Sequence, residues 1–299
     1  MNSVTFRAGH VALVGRPNVG KSSLLNALVG QRLCIVSPKP QTTRHRILGV
    51  VTREDGQIGY LDTPGVHAAT GGKALNRQLN RTAQSTISEA DACVHVIEAG
   101  RFTPEDRAVA DAITAAGVPQ LLAMNKVDLV KSKETLLPFI AERAAEREYA
   151  GVFLVSARRR DGLDALESAI VSVLPESEPL YDADTLTDRS ERFLAAELVR
   201  EQLMRQLGQE LPYATTVEIE RFELEGNRRR IHAAVWVERD GQKAIVIGDK
   251  GVRLREIGTR ARLAMESLFE GKVYLELWVK VRTGWSDDER ALRELGYAG

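Results

Sequence analysis

Aromatic residues are scarce, at 5% of 299, and cysteine occurs only twice. The two thiols, Cys34 and Cys93, have no CxxC or other ligand-like spacing. That excludes a disulfide scaffold and a thiolate metal module, and it fits a reducing compartment. No apolar run approaches the roughly 20 residues that a membrane-crossing helix needs. The opening MNSVTFRAGH lacks the apolar stretch of a secretory signal, so a cytosolic chain is expected. Neither sign of charge is in excess, with Lys plus Arg and Asp plus Glu at 41 each. A polyanion partner therefore cannot be argued from net charge and must come from local clusters. Internal repeats of 20–50 residues are also missing, which excludes a solenoid.

What is present is enough for packed cores: 43% hydrophobic and 27% charged residues. Six short apolar runs alternate with helical patterns up to residue 174: HVALV (10–14), RILGVVT (46–52), QIGYL (57–61), ACVHVI (92–97), QLLAM (120–124) and GVFLV (151–155). Continuous apolarity implies burial on both faces, as in a mostly parallel sheet. Asp55-Gly56 predicts a hairpin between the second and third runs, making one strand antiparallel. Thr103-Pro104-Glu105-Asp106 reads as a helix cap, and further helices are expected over 133–148 and 163–174. The prediction is an α/β domain over 1–174 with helices on both faces of a mixed sheet. Residues 175–190, PESEPLYDADTLTDRS, read as a linker. Over 191–299 follows a smaller α+β domain of order α-β-β-α-α-β, whose first helix opens at Asp188 with Glu191. Trp236 and Trp278 fall in strand patterns and are expected in the core. Trp285, in a polar tail, is the surface candidate, and His95 reads as a buried structural histidine.

GRPNVGKS (15–22) follows the first run and precedes a helical pattern. That is the setting of a phosphate-binding loop. Glycines let backbone N–H groups wrap an anion, and the helix N-terminus adds positive partial charge. The candidate contacts are Gly15, Arg16, Pro17, Asn18, Val19, Gly20, Lys21, Ser22 and Ser23. Lys21 would meet the outer phosphates, and Ser22 would ligate Mg²⁺. Asp62, Thr63, Pro64 and Gly65 end the third run. Asp62 could hold the same ion, directly or through water, and the Gly65 N–H could meet a γ-phosphate. Asn125-Lys126-Val127-Asp128 ends the fifth run. The Asp128 carboxylate can accept from N1–H and the exocyclic amine of guanine, an edge adenine lacks, and it would be left unpaired by the wrong base. Lys126 could lay its stem over the base, and Asn125 could tie loops together. Ser156, Ala157 and Arg158 end the sixth run, where a backbone N–H can meet guanine O6. All four groups lie at C-terminal strand ends, the crevice where open α/β sheets bind ligands. Their order points to GTP and GDP. Between them, SPKPQTTRHRI (37–47) reads as a switch segment in which Thr43, favoured over Thr42, would be a third metal ligand.

These residues resemble the TRAFAC-class GTPases. With TDRSERF (187–193), ELPYATTVEIERF (210–222), VIGDKG (246–251), LELWVKV (275–281) and GWSDDERALRELGY (284–297), nearly the whole chain is similar to the Era family of bacterial ribosome-assembly GTPases. The resemblance implies a P-loop GTPase domain followed by a type II KH domain. It further implies binding of the 3′ end of small-subunit ribosomal RNA, action on the 30S subunit, and peripheral membrane association; a monomer is expected. In a KH fold the GDKG loop clamps a nucleic-acid backbone beside a groove for about four nucleotides. Ile247, Gly248, Asp249, Lys250, Gly251 and Arg253 are the candidate RNA contacts. Residues 239–262 carry seven basic against three acidic side chains, in a chain that sums to zero. Ile245, Val246 and Ile247 read mainly as core. Val66 stands where related enzymes carry a water-orienting glutamine, so slow intrinsic hydrolysis is expected. His67 reads as a solvated switch histidine. No catalytic side chain is assigned beyond the candidates Thr43 and Asn18, the latter as a ligand for K⁺ beside the phosphates.

Overall fold

The computed structural model describes residues 5–65, 74–208 and 210–297. The chain divides into two compact units. The first takes in Met1–Cys34, Thr43–Thr70 and Leu79–Asp188; the second takes in Ile35–Thr42, Gly71–Gln78 and Arg189–Gly299.

In chain order the first stretch carries β1 (Arg7–Val14), α1 (Lys21–Val29), β2 (Ile47–Thr52), β3 (Gly56–Asp62), α2 (Ala74–Glu89), β4 (Ala92–Glu98), α3 (Pro104–Ala116), β5 (Gln120–Asn125), α4 (Leu137–Glu146), β6 (Gly151–Leu154) and α5 (Leu163–Val173). The strands lie in the order β2-β3-β1-β4-β5-β6. β2 runs antiparallel to β3, and the other neighbours are parallel. Every predicted run is a strand. Val11, Ala12, Leu13 and Val14 are all fully buried, so both faces of β1 are covered. α2 and α3 close over Ala12, Val14 and Cys93, and α1 and α5 pack against β1 and β3.

The hairpin closes through the Arg53 N–H on the Gly56 carbonyl at 2.8 Å. At α3, Thr103 and Asp106 exchange side-chain and backbone hydrogen bonds in the predicted capping box, with Pro104 in the first turn. The helix expected over 133–148 is shorter. A 3₁₀ turn occupies Lys133–Leu136, and α4 spans Leu137–Glu146. Pro138 is the reason: it has no N–H to give and fits only a first turn. Residues after 174 run along the first unit. Gln57 Oε1 accepts from the Leu180 and Tyr181 N–H groups at 2.7 and 2.8 Å, and the Val50 N–H donates to Leu186 at 2.9 Å.

The second unit contains α6 (Glu191–Gln206), β7 (Thr216–Glu225), β8 (Arg228–Val237), α7 (Asp240–Ile247), α8 (Val252–Leu268), β9 (Lys272–Val281) and α9 (Glu289–Glu294). β7 and β8 are antiparallel, and β8 and β9 are parallel. That is the predicted αββααβ order with its sheet closed by a parallel third strand. The core gathers Leu198, Val199, Leu203, Ile231, Val235, Ile257 and Met265. α6 is capped by Ser190, which accepts from the Phe193 N–H at 3.3 Å; the expected cap at Asp188 lies two residues too early.

Segment 35–42 belongs to this unit and lies on α6. Arg200 Nη2 donates to the Thr42 carbonyl at 2.5 Å while pairing with Glu197 at 2.6 and 2.7 Å. Glu201 accepts from the Val36 N–H at 3.2 Å, and Arg205 donates to the Val36 carbonyl at 3.1 Å. The Lys39 ammonium caps the end of α6 on the Met204 and Leu207 carbonyls. Among the described residues no helix is long and apolar enough to cross a membrane.

Three tryptophan assignments are corrected. On β8 and β9 the residues Ile231, Ala233, Val235, Val273 and Val279 face the core. Trp236 and Trp278 have the opposite parity, so they lie half-buried on the outer face of the sheet. Trp236 Nε1 donates to Glu218 at 2.8 Å, and the Lys280 ammonium sits over both rings. Trp285 is the buried one, at 0% exposure. It stacks on Tyr297 and donates to the Ala214 carbonyl at 3.3 Å. The tail from Gly284 is therefore folded into the second unit, with Ala291, Leu292 and Tyr297 buried beside Trp285 in sequence.

Trp285→Ala should destabilise the second unit by about 3–5 kcal/mol, the range for truncating a buried large aromatic. Urea unfolding followed by fluorescence checks this. An unshifted midpoint would show that the tail contributes nothing to that unit.

Candidate functional site

The site is built where β1 hands the chain to α1. Gly20 is the helix cap, at φ 100°. This left-handed conformation favours glycine. A Cβ there would also stand 2.4 Å from Asn125 Nδ2, so no other residue fits. Asn18 is exposed, at φ 64°. The Lys21 side chain folds back under the loop and donates to the Gly15 and Arg16 carbonyls at 2.8 and 3.1 Å. Burial lowers its pKa from 10.5 to about 8, and the Asp62 charge opposes that shift.

Three oxygens converge beside it. Ser22 Oγ donates to Asp62 Oδ2 at 2.6 Å, Thr43 Oγ1 reaches the same oxygen at 3.2 Å, and the two hydroxyls are 2.8 Å apart. Among the described residues, Asp62 Oδ1 is buried with no N–H or O–H donor. Burial raises the Asp62 pKa, against the pull of Ser22, Lys21, the Cys34 thiol and Thr43. Hard oxygens with spare lone pairs at this spacing fit magnesium. Thr43 is the threonine that reaches them; the Thr42 hydroxyl is bonded to Ser37 Oγ and the Lys39 carbonyl, both at 2.7 Å. The Thr63 hydroxyl donates to the Leu13 carbonyl at 3.1 Å, holding the end of β3 to β1 rather than facing a ligand. Gly65 lies against Pro17, where a Cβ would come within 3.0 Å of Cγ. Val66 and His67 lie outside the described residues.

The two loops expected to read a base sit at the ends of β5 and β6. Asn125 Nδ2 donates to the Val19 carbonyl at 2.9 Å, and its Oδ1 accepts from the Ala157 N–H at 3.1 Å. It thus joins three motifs. Ser156 Oγ donates to Asp128 Oδ1 at 2.7 Å, leaving Oδ2 of a half-buried carboxylate open. Lys126 is left-handed at φ 64°, with its ammonium on Glu98 at 3.0 Å. Arg158 is exposed.

Two acids escaped the motif reading. Arg16 turns its guanidinium away from the loop's mouth, Nε on Asp106 Oδ2 at 3.1 Å and Nη2 near Glu98 at 3.5 Å. The signal for Glu98 was available: like Asp62, it is an acid ending a buried strand.

In the second unit GDKG links α7 to α8. Gly248, Lys250 and Gly251 have φ of 72°, 46° and 76°. Asp249 and Lys250 are exposed, and Arg253 Nη1 donates to the Ile245 carbonyl at 2.5 Å. Val246 is fully buried, as expected, and Ile247 packs beside it, but Ile245 is 50% exposed because a helix turns it outward. Beside the loop a groove of about 330 Å³ is lined by Gly251, Leu254, Arg255, Gly258, Thr259, Arg262, Leu275 and Leu277. Most of these were missed. A mid-helix glycine, costly by up to about 1 kcal/mol, was the readable sign. At Gly258 a Cβ would press on Leu277 at 3.3 Å, so the glycine keeps the groove open.

The pattern for 50S ribosome-binding GTPases matches residues 10–126, and the KH domain pattern matches 210–286. GTPase Era of Stenotrophomonas maltophilia is 56% identical over 289 residues, 97% of each chain. GTPase Era of Xanthomonas axonopodis pv. citri is 57% identical over 99% of this chain and all of its own. Among solved structures, an Aquifex aeolicus Era variant bound to GDP and AlF4⁻ shares 38% identity at a TM-score of 0.94, covering 98% of this chain and 100% of that one. Era in complex with MgGDPNP and nucleotides 1506–1542 of 16S ribosomal RNA matches with the same identity, TM-score and coverage. With both domain patterns in place and the identity sustained along nearly the whole length, the chain belongs to the Era family of GTPases.

Proposed function

We propose that this GTPase is a nucleotide-dependent switch that binds small-subunit ribosomal RNA near its 3′ end and acts in assembly of the small subunit, in the cytoplasm. The carrying observation is the convergence of Ser22, Thr43 and Asp62 within 3.2 Å, beside the buried Lys21. Magnesium held there would offset charge on the β- and γ-phosphates. The chain's own part is positional: loop amides and Lys21 bind the phosphates, and Asp128 reads guanine.

Thr43 also supports the switch. The preceding Thr42 carbonyl is held by Arg200, so the chain passes from the second unit to the first at one peptide bond. A γ-phosphate that recruits Thr43 would pull on that hold, and GDP would not. Such a bias requires different contacts in the two states, and Thr43 supplies them. The groove beside GDKG is the RNA seat on this reading, with Lys250 toward the backbone and Leu254 and Leu277 under the bases. An RNA of nucleotides 1506–1542, the segment held in the Era complex, is the probe. Lys250→Asp reverses the charge and keeps both glycines. It should weaken that RNA roughly tenfold, as loss of a phosphate contact does, and spare GTP hydrolysis. Anisotropy showing unchanged RNA affinity would remove the groove from the reading.

The Lys21 ammonium gives a pH test. Phosphates favour its charged form, so above pH about 8 nucleotide binding takes up a proton and affinity falls as pH rises. The nucleotide-free protein behaves oppositely. Its folded pKa lies below the unfolded one, so its stability rises between pH about 8 and 10.5. Calorimetric titration with GDP should show a flat affinity below pH about 8 and a decline above it, absent in Lys21→Met. A flat profile throughout would detach Lys21 from the phosphates.

Asn18, which is exposed, would on this reading help hold a K⁺ ion that stabilises developing charge. Turnover should then be several-fold faster in KCl than in NaCl, and equal rates would exclude the ion.

A further inference from the structure

β4 and β5 are parallel neighbours, with Glu98 in register with Asn125. The last residue of β4 therefore sits beside the base-reading loop. One of its oxygens, Oε2, takes the Lys126 ammonium at 3.0 Å and lies 3.5 Å from Arg16 Nη2. Arg16 is held a second time by Asp106, which is fully buried and whose Oδ2 also accepts from the Thr103 N–H and hydroxyl at 2.9 and 2.8 Å. The Arg16 carbonyl in turn receives the Lys21 ammonium at 3.1 Å. A chain of charged contacts thus runs from the base loop to the phosphate loop: Lys126, Glu98, Arg16, Asp106. Partial burial pushes the Glu98 carboxyl up, but Lys126 and Arg16 outweigh it and hold the carboxyl below its ordinary range.

A lysine stem covers a base only if its far end is fixed, because four free torsions otherwise carry about 2 kcal/mol of rotamer entropy. Asn125 already ties the base loop to the phosphate loop at Val19. Nothing in that tie fixes Lys126 or the guanidinium side of the loop. We infer that Glu98 is a positioning residue for the nucleotide: it fixes the course of the Lys126 stem and, through Arg16, locks the phosphate loop to the base loop. The role concerns contacts made equally in the ground and transition states, so it governs affinity rather than the chemical step.

This inference rests on the nucleotide site proposed above, and the test separates the two. In wild-type protein, loss of a fluorescent GDP gives the baseline; no binding at all would sink the site itself. Glu98→Gln keeps the side chain's length and removes its charge. GDP should leave roughly tenfold faster and KM for GTP should rise by a similar factor, while kcat at saturation changes by less than about twofold. Glu98→Asp keeps the charge but is too short to serve both partners, so an intermediate loss is expected. Lys126→Met should cost much less in the Glu98→Gln background than in wild type, because the tether it depends on is already gone. Tripolyphosphate, which has no base, should lose less affinity than GDP in Glu98→Gln. Wild-type GDP release in both Glu98 variants would overturn the inference. So would strictly additive losses for Glu98→Gln and Lys126→Met, or a fall in kcat with KM unchanged.

Discussion

A buried positive charge is the constraint around which the first unit is arranged. Lys21 is 6% exposed and its ammonium rests on two loop carbonyls. Removing an ion from water costs several kcal/mol even after relaxation, and two neutral carbonyls return part of that. Asp62 is the matching case. It is fully buried, accepts two hydroxyls on one oxygen, and among the described residues has no N–H or O–H donor on the other. Each group is pushed toward neutrality by burial and pulled back by the other. Neither arrangement would persist for stability's sake, since apolar residues would fill the space at less cost. On the proposed reading the two groups together serve a polyphosphate and its cation, in a cleft where both charges are buried.

The sheet makes this possible. β1 and β3 are parallel neighbours, with Leu13 in register with Asp62, so Gly15 and the acid emerge at the same edge. β4 and β5 repeat the arrangement with Glu98 and Asn125. On the proposed reading, phosphate loop, metal acid, base loop and tether therefore come from strand ends of a single sheet, the rigid element on which loops can be held to fractions of an ångström.

Much of this was legible because each motif carries its own backbone demand. Five of the six apolar runs are strands that are largely buried, while the edge strand β6 is only half-buried, and GRPNVGKS after the first of them reads as a loop entering a helix. What was not legible depended on parity and packing. Trp236 and Trp278 are aromatic residues in apolar strands, and only the register with Val235 and Val279 shows that they face outward. Trp285 lies among polar residues, and its burial depends on Tyr297, twelve residues on, folding back to stack upon it. Glu98 was hidden for another reason: its partners Arg16 and Lys126 are 82 and 28 positions away, and each had already been given a role. The groove at Gly258 needed β9 beside α8 before its lining could be seen.

α6 raises a last question of design. Leu198, Val199 and Leu203 bury one side of it in the second core, yet Glu197, Arg200 and Glu201 are buried as well. They are buried because residues 35–42 lie over them. Apolar residues would hold that segment more tightly, at about 25 cal/mol for each Å² covered. They would also be exposed to water at the same penalty whenever the segment left. A charged pair behaves differently: Arg200 and Glu197 regain hydration on release, so their net attraction for the Thr42 carbonyl is small even though the individual hydrogen bonds are short. On the proposed reading that is the property required. A segment that must answer to one phosphate group can be held only by contacts whose net strength is of the same order as what that phosphate offers, and ionic contacts on a buried helix face meet this condition where a hydrophobic seam would not.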